Sequence, residues 1–271
     1  MAPIRKSTAL DGYSIDVIRV DQNEISYRII GDTPLIMERF STKAQRALLA
    51  PKGRMTTVEK EQNEKHNPRE EYTEAAYVVP DGPTRLAMPS TSFKAALLAA
   101  ALRTPGAKKT EIGAMTYIVG EWAPIWGIPR LLMSGVRSAD IGKTPDIRTR
   151  PIITPWATKL TIKYVVPNLT PNTISNLLAG AGILCGVGGW RQGKGSGNYG
   201  LFHPIQEEDD AEFGAIVASG GREVQLEALR VPVAYDEETA DLLAWHDEEM
   251  ERRRLRGSPS SVKKIAALAA D

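Results

Sequence analysis

Between Trp156 and Val166 apolar and polar positions alternate, with Leu160, Ile162 and Tyr164 on one side and Lys159, Thr161 and Lys163 on the other. A period of two is that of a strand, so this segment predicts a half-buried strand with a basic exposed face. Ile25 to Ile30 alternates more loosely but is rich in β-formers, and it predicts a strand closed by Gly31-Asp32-Thr33-Pro34 and resumed at Leu35-Ile36-Met37. Shorter strands are predicted at Tyr77–Val79, Met115–Val119, Leu131–Met133 and Leu201–Ile205. The longest apolar helical run is Phe93 to Leu102, preceded by Ser90-Thr91-Ser92 and stopped by Thr104-Pro105-Gly106. Thr170-Pro171 starts a second helix over 173–181, because Pro fits the first helical position. Ser41 caps a short helix from Thr42 to Ala50, and Asp236 to Arg254 predicts a charged helix.

These elements give strand, helix, two strands, helix, strand. That is the βαββαβ order of an α+β, ferredoxin-like sheet with two helices on one face. The core is expected over 21–205, after an N-terminal extension of 1–20 and before an acidic C-terminal extension of 206–271. The polar stretch 51–74 predicts an exposed insertion, and 134–151 a polar loop bearing arginines.

The 271 residues carry 34 Lys+Arg against 33 Asp+Glu, a net charge of +1 that conceals a regional contrast. Residues 121–200 hold nine cations and three acids, whereas 201–256 hold six cations and fifteen acids. Two readings follow. The charges cover surface, or a basic face meets a polyanion while the acidic end serves as a partner surface or an internal competitor. The single cysteine, Cys185, excludes a disulfide framework and suits a cytoplasmic setting. No run of 18 apolar residues is present, so no membrane partner is expected.

Residues 186–200 contain seven glycines, two cations (Arg191, Lys194) and two aromatics (Trp190, Tyr199). Glycine permits positive φ and close backbone approach, successive amides can cradle an anion, and the aromatics can stack on bases. A dinucleotide fingerprint is excluded because a helix precedes the segment and a strand follows it. A P-loop is excluded because Lys194 is followed by Gly195. A plain hairpin connection is the competing reading.

A helix followed by a glycine-rich loop that ends Gly-x-Tyr-Gly before a last strand resembles the RAMP superfamily, the RNA-binding subunits of CRISPR effector complexes. Met88-Pro89-Ser90-Thr91-Ser92-Phe93-Lys94-Ala95-Ala96-Leu97 is similar to the start of the first helix in the backbone subunits of that family, with Ser90 and Ala95 standing where the family has glycine. The stretch Thr33 to Ala44 is similar to the opening of a group of phage proteins, which implies a phage-encoded relative acting in the host cytoplasm. The resemblance spans roughly 25–205. It implies an RRM-like variant of the sheet, binding of single-stranded RNA or DNA along a basic surface, and side-by-side homo-oligomers.

The expected nucleic-acid contacts are Lys94, Arg137, Lys143, Arg148, Arg150, Lys159, Lys163, Gly188, Gly189, Trp190, Arg191, Lys194, Gly195 and Tyr199. No cofactor is expected, and His66, His203 and His246 show no metal-ligand spacing. The favoured reading is a non-catalytic binder of single strands. One alternative is a metal-independent ribonuclease, for which Asp32 is the catalytic candidate because some members of the resembled family cleave RNA with a histidine or a loop aspartate. A turn-forming role explains Asp32 equally. The other alternative is a mimic of a CRISPR subunit that works through a protein partner of the acidic C-terminal region.

Overall fold

The computed structural model describes residues 20–49, 66–137, 145–194 and 197–257. In chain order the elements are β1 (Asp21–Gly31), β2 (Leu35–Ile36), α1 (Thr42–Leu49), α2 (Pro68–Glu74), β3 (Ala87–Pro89), α3 (Ser90–Arg103), α4 (Lys109–Met115), β4 (Thr116–Ile118) and β5 (Trp122–Trp126). They continue with β6 (Pro129–Arg137), β7 (Pro145–Ile153), β8 (Ala157–Val166), α5 (Pro171–Leu184), β9 (Phe202–Pro204), α6 (Asp210–Ser219), α7 (Arg222–Arg230) and α8 (Glu237–Gly257).

The alternating segments predicted above form the centre of the main sheet. β8 pairs antiparallel with β1 in the register Ser26 to Thr161 and Arg28 to Lys159, and β1 pairs antiparallel with β9. The far edge of β8 is shared by β4, opposite Ile162–Tyr164, and β5, opposite Ala157 and Thr158. The sheet order β9–β1–β8–β4/β5, with α3 and α5 on one face, is the α+β, ferredoxin-like βαββαβ arrangement. Leu160, Ile162 and Tyr164 point into the core with Phe93, Leu97, Ile174, Leu178 and Phe202. Alternation produced this side choice, since any one-residue slip would bury Lys159 and Lys163 instead. Thr170 caps α5, its hydroxyl accepting from the Thr173 amide at 3.2 Å.

Several local expectations are corrected. Within 134–151, residues 134–137 and 145–151 are not a loop but parts of the antiparallel strands β6 and β7, which with β2 form a second sheet, while 138–144 lie outside the described residues. The last part of 51–74 is the helix α2, whose Tyr72 is fully buried and donates to the carbonyls of Pro129 and Ala228. Tyr77–Val79 contributes only an isolated bridge, Val78 to Leu86. The helix α3 starts at Ser90 without a side-chain cap. Residues 109–115 are helical, and the acidic end contains α6 and α7 besides the expected charged helix, seen here as α8.

The helices after β9 pack onto the core. α6 lies on the sheet face opposite α3 and α5, where Ile216, Phe213 and Val217 cover Ile30, Trp126 and Ala157. α7 inserts Gln225, which is fully buried. Its Oε1 accepts from the amides of Arg85 and Leu86, and its Nε2 donates to the carbonyls of Ile125, Gly127 and Gly220. Among the described residues no helix is long and apolar enough to cross a membrane.

Candidate nucleic-acid interface

The candidate site grows out of two segments that meet beside β2. The first is the glycine-rich loop. Gly188 has φ +82°, and a Cβ there would stand 2.5 Å from the Ile36 carbonyl oxygen. Gly200 has φ +69°, and its Cβ would fall 1.8 Å from the Val187 oxygen. Both positions therefore require glycine for conformation and for space. The amides of Val187, Gly189, Gly193 and Gly200 donate to the carbonyls of Gly200, Ile36, Cys185 and Pro34 at 2.8–2.9 Å. These four donors serve the packing of the loop, so they are not part of an anion cradle.

Held in this way, the loop presents aromatics. Trp190 stacks on Tyr199 with ring centroids 5.4 Å apart and planes 24° apart, and Trp190 remains 48% exposed. Its φ of +49° is the one left-handed value of a non-glycine residue among the described residues. Such a conformation costs on the order of 1–3 kcal/mol and persists where surroundings dictate it. Trp190, Tyr199, Thr33, Pro34, Gly197, Asn198 and Tyr235 line a shallow open depression. Arg191 turns its Nη1 onto the Gly188 carbonyl at 2.6 Å.

The second segment is the hairpin face that carries Arg148, Arg150 and Ile152. Ile152 packs with Ile36, Leu132, Tyr199 and Tyr235, which brings this face against the loop. Arg148 Nη1 and Arg150 Nη1 reach the same oxygen, Glu38 Oε1, at 3.0 and 3.4 Å. Arg150 is 5% exposed, and its Nη2 donates to Ser134 Oγ at 2.7 Å while its Nε has no protein partner. Burial pushes the Arg150 guanidinium below its ordinary value; Glu38 opposes that shift and Arg148 adds to it. Arginine nevertheless stays protonated at neutral pH. Among the ion pairs of the described residues, two guanidinium groups share this one carboxylate, an excess of positive charge in the cluster.

The structure thus gathers Gly188, Gly189, Trp190, Arg191, Tyr199, Arg148 and Arg150 from the expected residues. Lys159 and Lys163 lie on the sheet face opposite α3 and α5, where Lys163 meets Glu24 at 3.7 Å. Lys94 sits half-buried in the first turns of α3. No hydrogen bond or ion pair among the described residues joins these three to the loop. Arg137 ends β6 and Lys194 ends a short 3-10 turn at Gln192–Lys194, while Lys143 and Gly195 lie outside the described residues. Asp32 accepts from His203 Nδ1 at 2.5 Å, and Asp209 lies 3.6 Å from the other ring nitrogen. No cluster among the described residues is suited to hold a metal ion.

Glu38 and Tyr235 were not among the expected residues. Glu38 follows an apolar run with nothing local to mark it, and Tyr235 comes from the acidic end. The pairing of Leu131 with Val233 and Tyr235 brings that segment to the hairpin.

No family model and no curated protein matches this chain. Among solved structures, the chain is similar to one chain in the cryo-EM structure of the type III-B Cmr-beta bound to cognate target RNA. The TM-score is 0.36 at 11% identity, over 68% of this chain and 59% of that chain. This chain therefore spans less than two thirds of the length of the structure it matches.

Proposed function

We propose that the chain binds single-stranded nucleic acid without cleaving it, at the surface shared by the glycine-rich loop and the β6–β7 hairpin. The observation that carries this reading is the exposed Trp190 ring, stacked on Tyr199, next to a hairpin face whose arginines outnumber their carboxylate. An unstacked base can lie on an aromatic face for about 1–3 kcal/mol, and guanidinium groups match phosphate oxygens bidentately. A duplex hides its bases, so single strands, RNA or DNA, are the substrate class. Copies of the chain aligned along one strand would each offer one such surface, and the number of nucleotides covered per protein at saturation reads this arrangement.

The test is fluorescence anisotropy with labelled single-stranded RNA, single-stranded DNA and duplex. Single strands are expected to bind more tightly than duplex. Trp190→Ala is expected to weaken binding by about 5- to 150-fold, the equivalent of 1–3 kcal/mol. Trp122→Ala, on β5 and packed against Tyr77, is the control. Equal affinity of wild type and Trp190→Ala would remove the loop from the site.

A second reading is favoured by one observation, the Asp32–His203 pair, which has the form of a carboxylate-oriented imidazole. It makes the chain a metal-independent ribonuclease. Shortening of end-labelled RNA by wild type, abolished in both Asp32→Ala and His203→Ala, would replace the non-catalytic reading.

A further inference from the structure

The charge of the arginine cluster is unbalanced in a particular way. Glu38 lends a single oxygen to two guanidinium groups, and Arg150, the buried member, keeps one N–H without a protein partner. With only Arg150 buried and the carboxylate exposed, a cluster of this kind is weak evidence for stability, because screened pairs at a surface contribute little. Exposure runs outward through the cluster. The Arg150 side chain is 6% exposed, that of Glu38 41% and that of Arg148 54%. The exposed carboxylate thus joins the buried cation to the exposed one. Its room is made by Gly189, where a Cβ would lie 3.1 Å from Glu38 Oε2. The next residue is Trp190, the proposed base platform.

We propose that Glu38 is an internal stand-in for a backbone phosphate, and that Arg148 and Arg150 form a phosphodiester subsite which opens when this carboxylate swings out. The proposal rests on the nucleic-acid reading above and adds a regulatory device to it. A phosphodiester offers two unesterified oxygens, one for each guanidinium, where Glu38 now supplies one oxygen for both. The carboxylate keeps Arg150 from being buried with no counter-charge in the empty protein. It also lowers affinity for the strand by the fraction of time it holds the site.

A purely structural ion pair and a stand-in carboxylate differ in sign. Glu38→Gln keeps the shape and removes the charge. With a stand-in, this variant is less thermally stable than wild type yet binds labelled single-stranded RNA or DNA about tenfold more tightly, as for a site open in roughly one molecule in ten. Inorganic phosphate, against sodium chloride of equal ionic strength, raises its Tm more than that of wild type. Arg148→Ala, a change at an exposed side chain, cancels the phosphate effect in either background and serves alone if Glu38→Gln does not fold. If wild type binds strands and Glu38→Gln binds them no more tightly, the proposal is overturned while the nucleic-acid reading stands. If wild type binds no strand, that reading falls, and the phosphate arm decides the anion subsite by itself. An equal phosphate response in wild type, Glu38→Gln and Arg148→Ala overturns it.

Discussion

Trp190 shows how a single residue can hold a local penalty for a surface role. An L side chain in the left-handed region is unfavourable by about 1–2 kcal/mol, and glycine is free of that penalty. Trp190→Gly is therefore expected to equal or exceed Trp190→Ala in stability by up to about 1 kcal/mol by denaturant unfolding, although both lose the stack on Tyr199. Both should lose strand binding alike. If the alanine variant were clearly the more stable, the strain argument would fail. Cys185 illustrates the reverse case, a reactive group made inert. It is 1% exposed, burial pushes its thiol up, and the Arg103 guanidinium 3.1 Å away opposes this only partly. A thiol reagent is expected to label the native protein at a negligible rate and to label it fully in denaturant. In the sequence, the apolar Leu184 beside it suits Cys185 to a small buried filler. Its arginine partner, 82 positions away, has no local signature.

At the scale of elements, legibility followed periodicity. Trp156–Val166 was readable because nothing interrupts the alternation, and α5 because Thr170-Pro171 is a start signal independent of tertiary context. The β6–β7 hairpin was not, because its buried positions include Arg150 and Thr149, which read as surface residues. Pro145 and Pro151 further mimic a loop. α7 was hidden for a related reason, since its buried residue is Gln225, polar by type and apolar by location. This glutamine does for the core what a strand pairing would do, satisfying two amides and three carbonyls at once. Each buried backbone group left unpaired costs about 1–3 kcal/mol. Gln225→Leu is thus expected to destabilise the protein by roughly 3 kcal/mol or more, against about 1 kcal/mol or less for Glu223→Ala on the exposed side of the same helix. Urea unfolding of the two variants measures the difference. The same bonds make deletion of residues 206–271 a poor probe of the acidic end, because that deletion also removes Gln225 from the core.

For the whole molecule, the basic middle of the chain is divided by the fold between two surfaces, which the linear charge count could not show. On the sheet face opposite α3 and α5, carboxylates meet cations: Arg28, from outside that stretch, pairs with Asp210 of α6 at 2.8 Å and lies over Phe213, and Lys163 approaches Glu24 at 3.7 Å. At the loop and hairpin the balance remains positive, with Arg148 and Arg150 sharing Glu38 and Arg191 held on a carbonyl. Counterion release makes log K fall with log salt by about 0.7 for each phosphate neutralised on a single strand. A net excess near two charges gives an expected slope of about −1.4 for wild type, steepening toward about −2 in Glu38→Gln as the third cation is freed. Arg148→Ala should flatten the slope by about 0.7. Lys159→Ala and Lys163→Ala should leave it unchanged, since their face is shared with the acidic α6. Anisotropy titrations between about 50 and 200 mM salt read all five slopes. A flatter slope in the lysine variants, with none in Arg148→Ala, would move the interface to the open face of the sheet and compel α6 to leave it on binding.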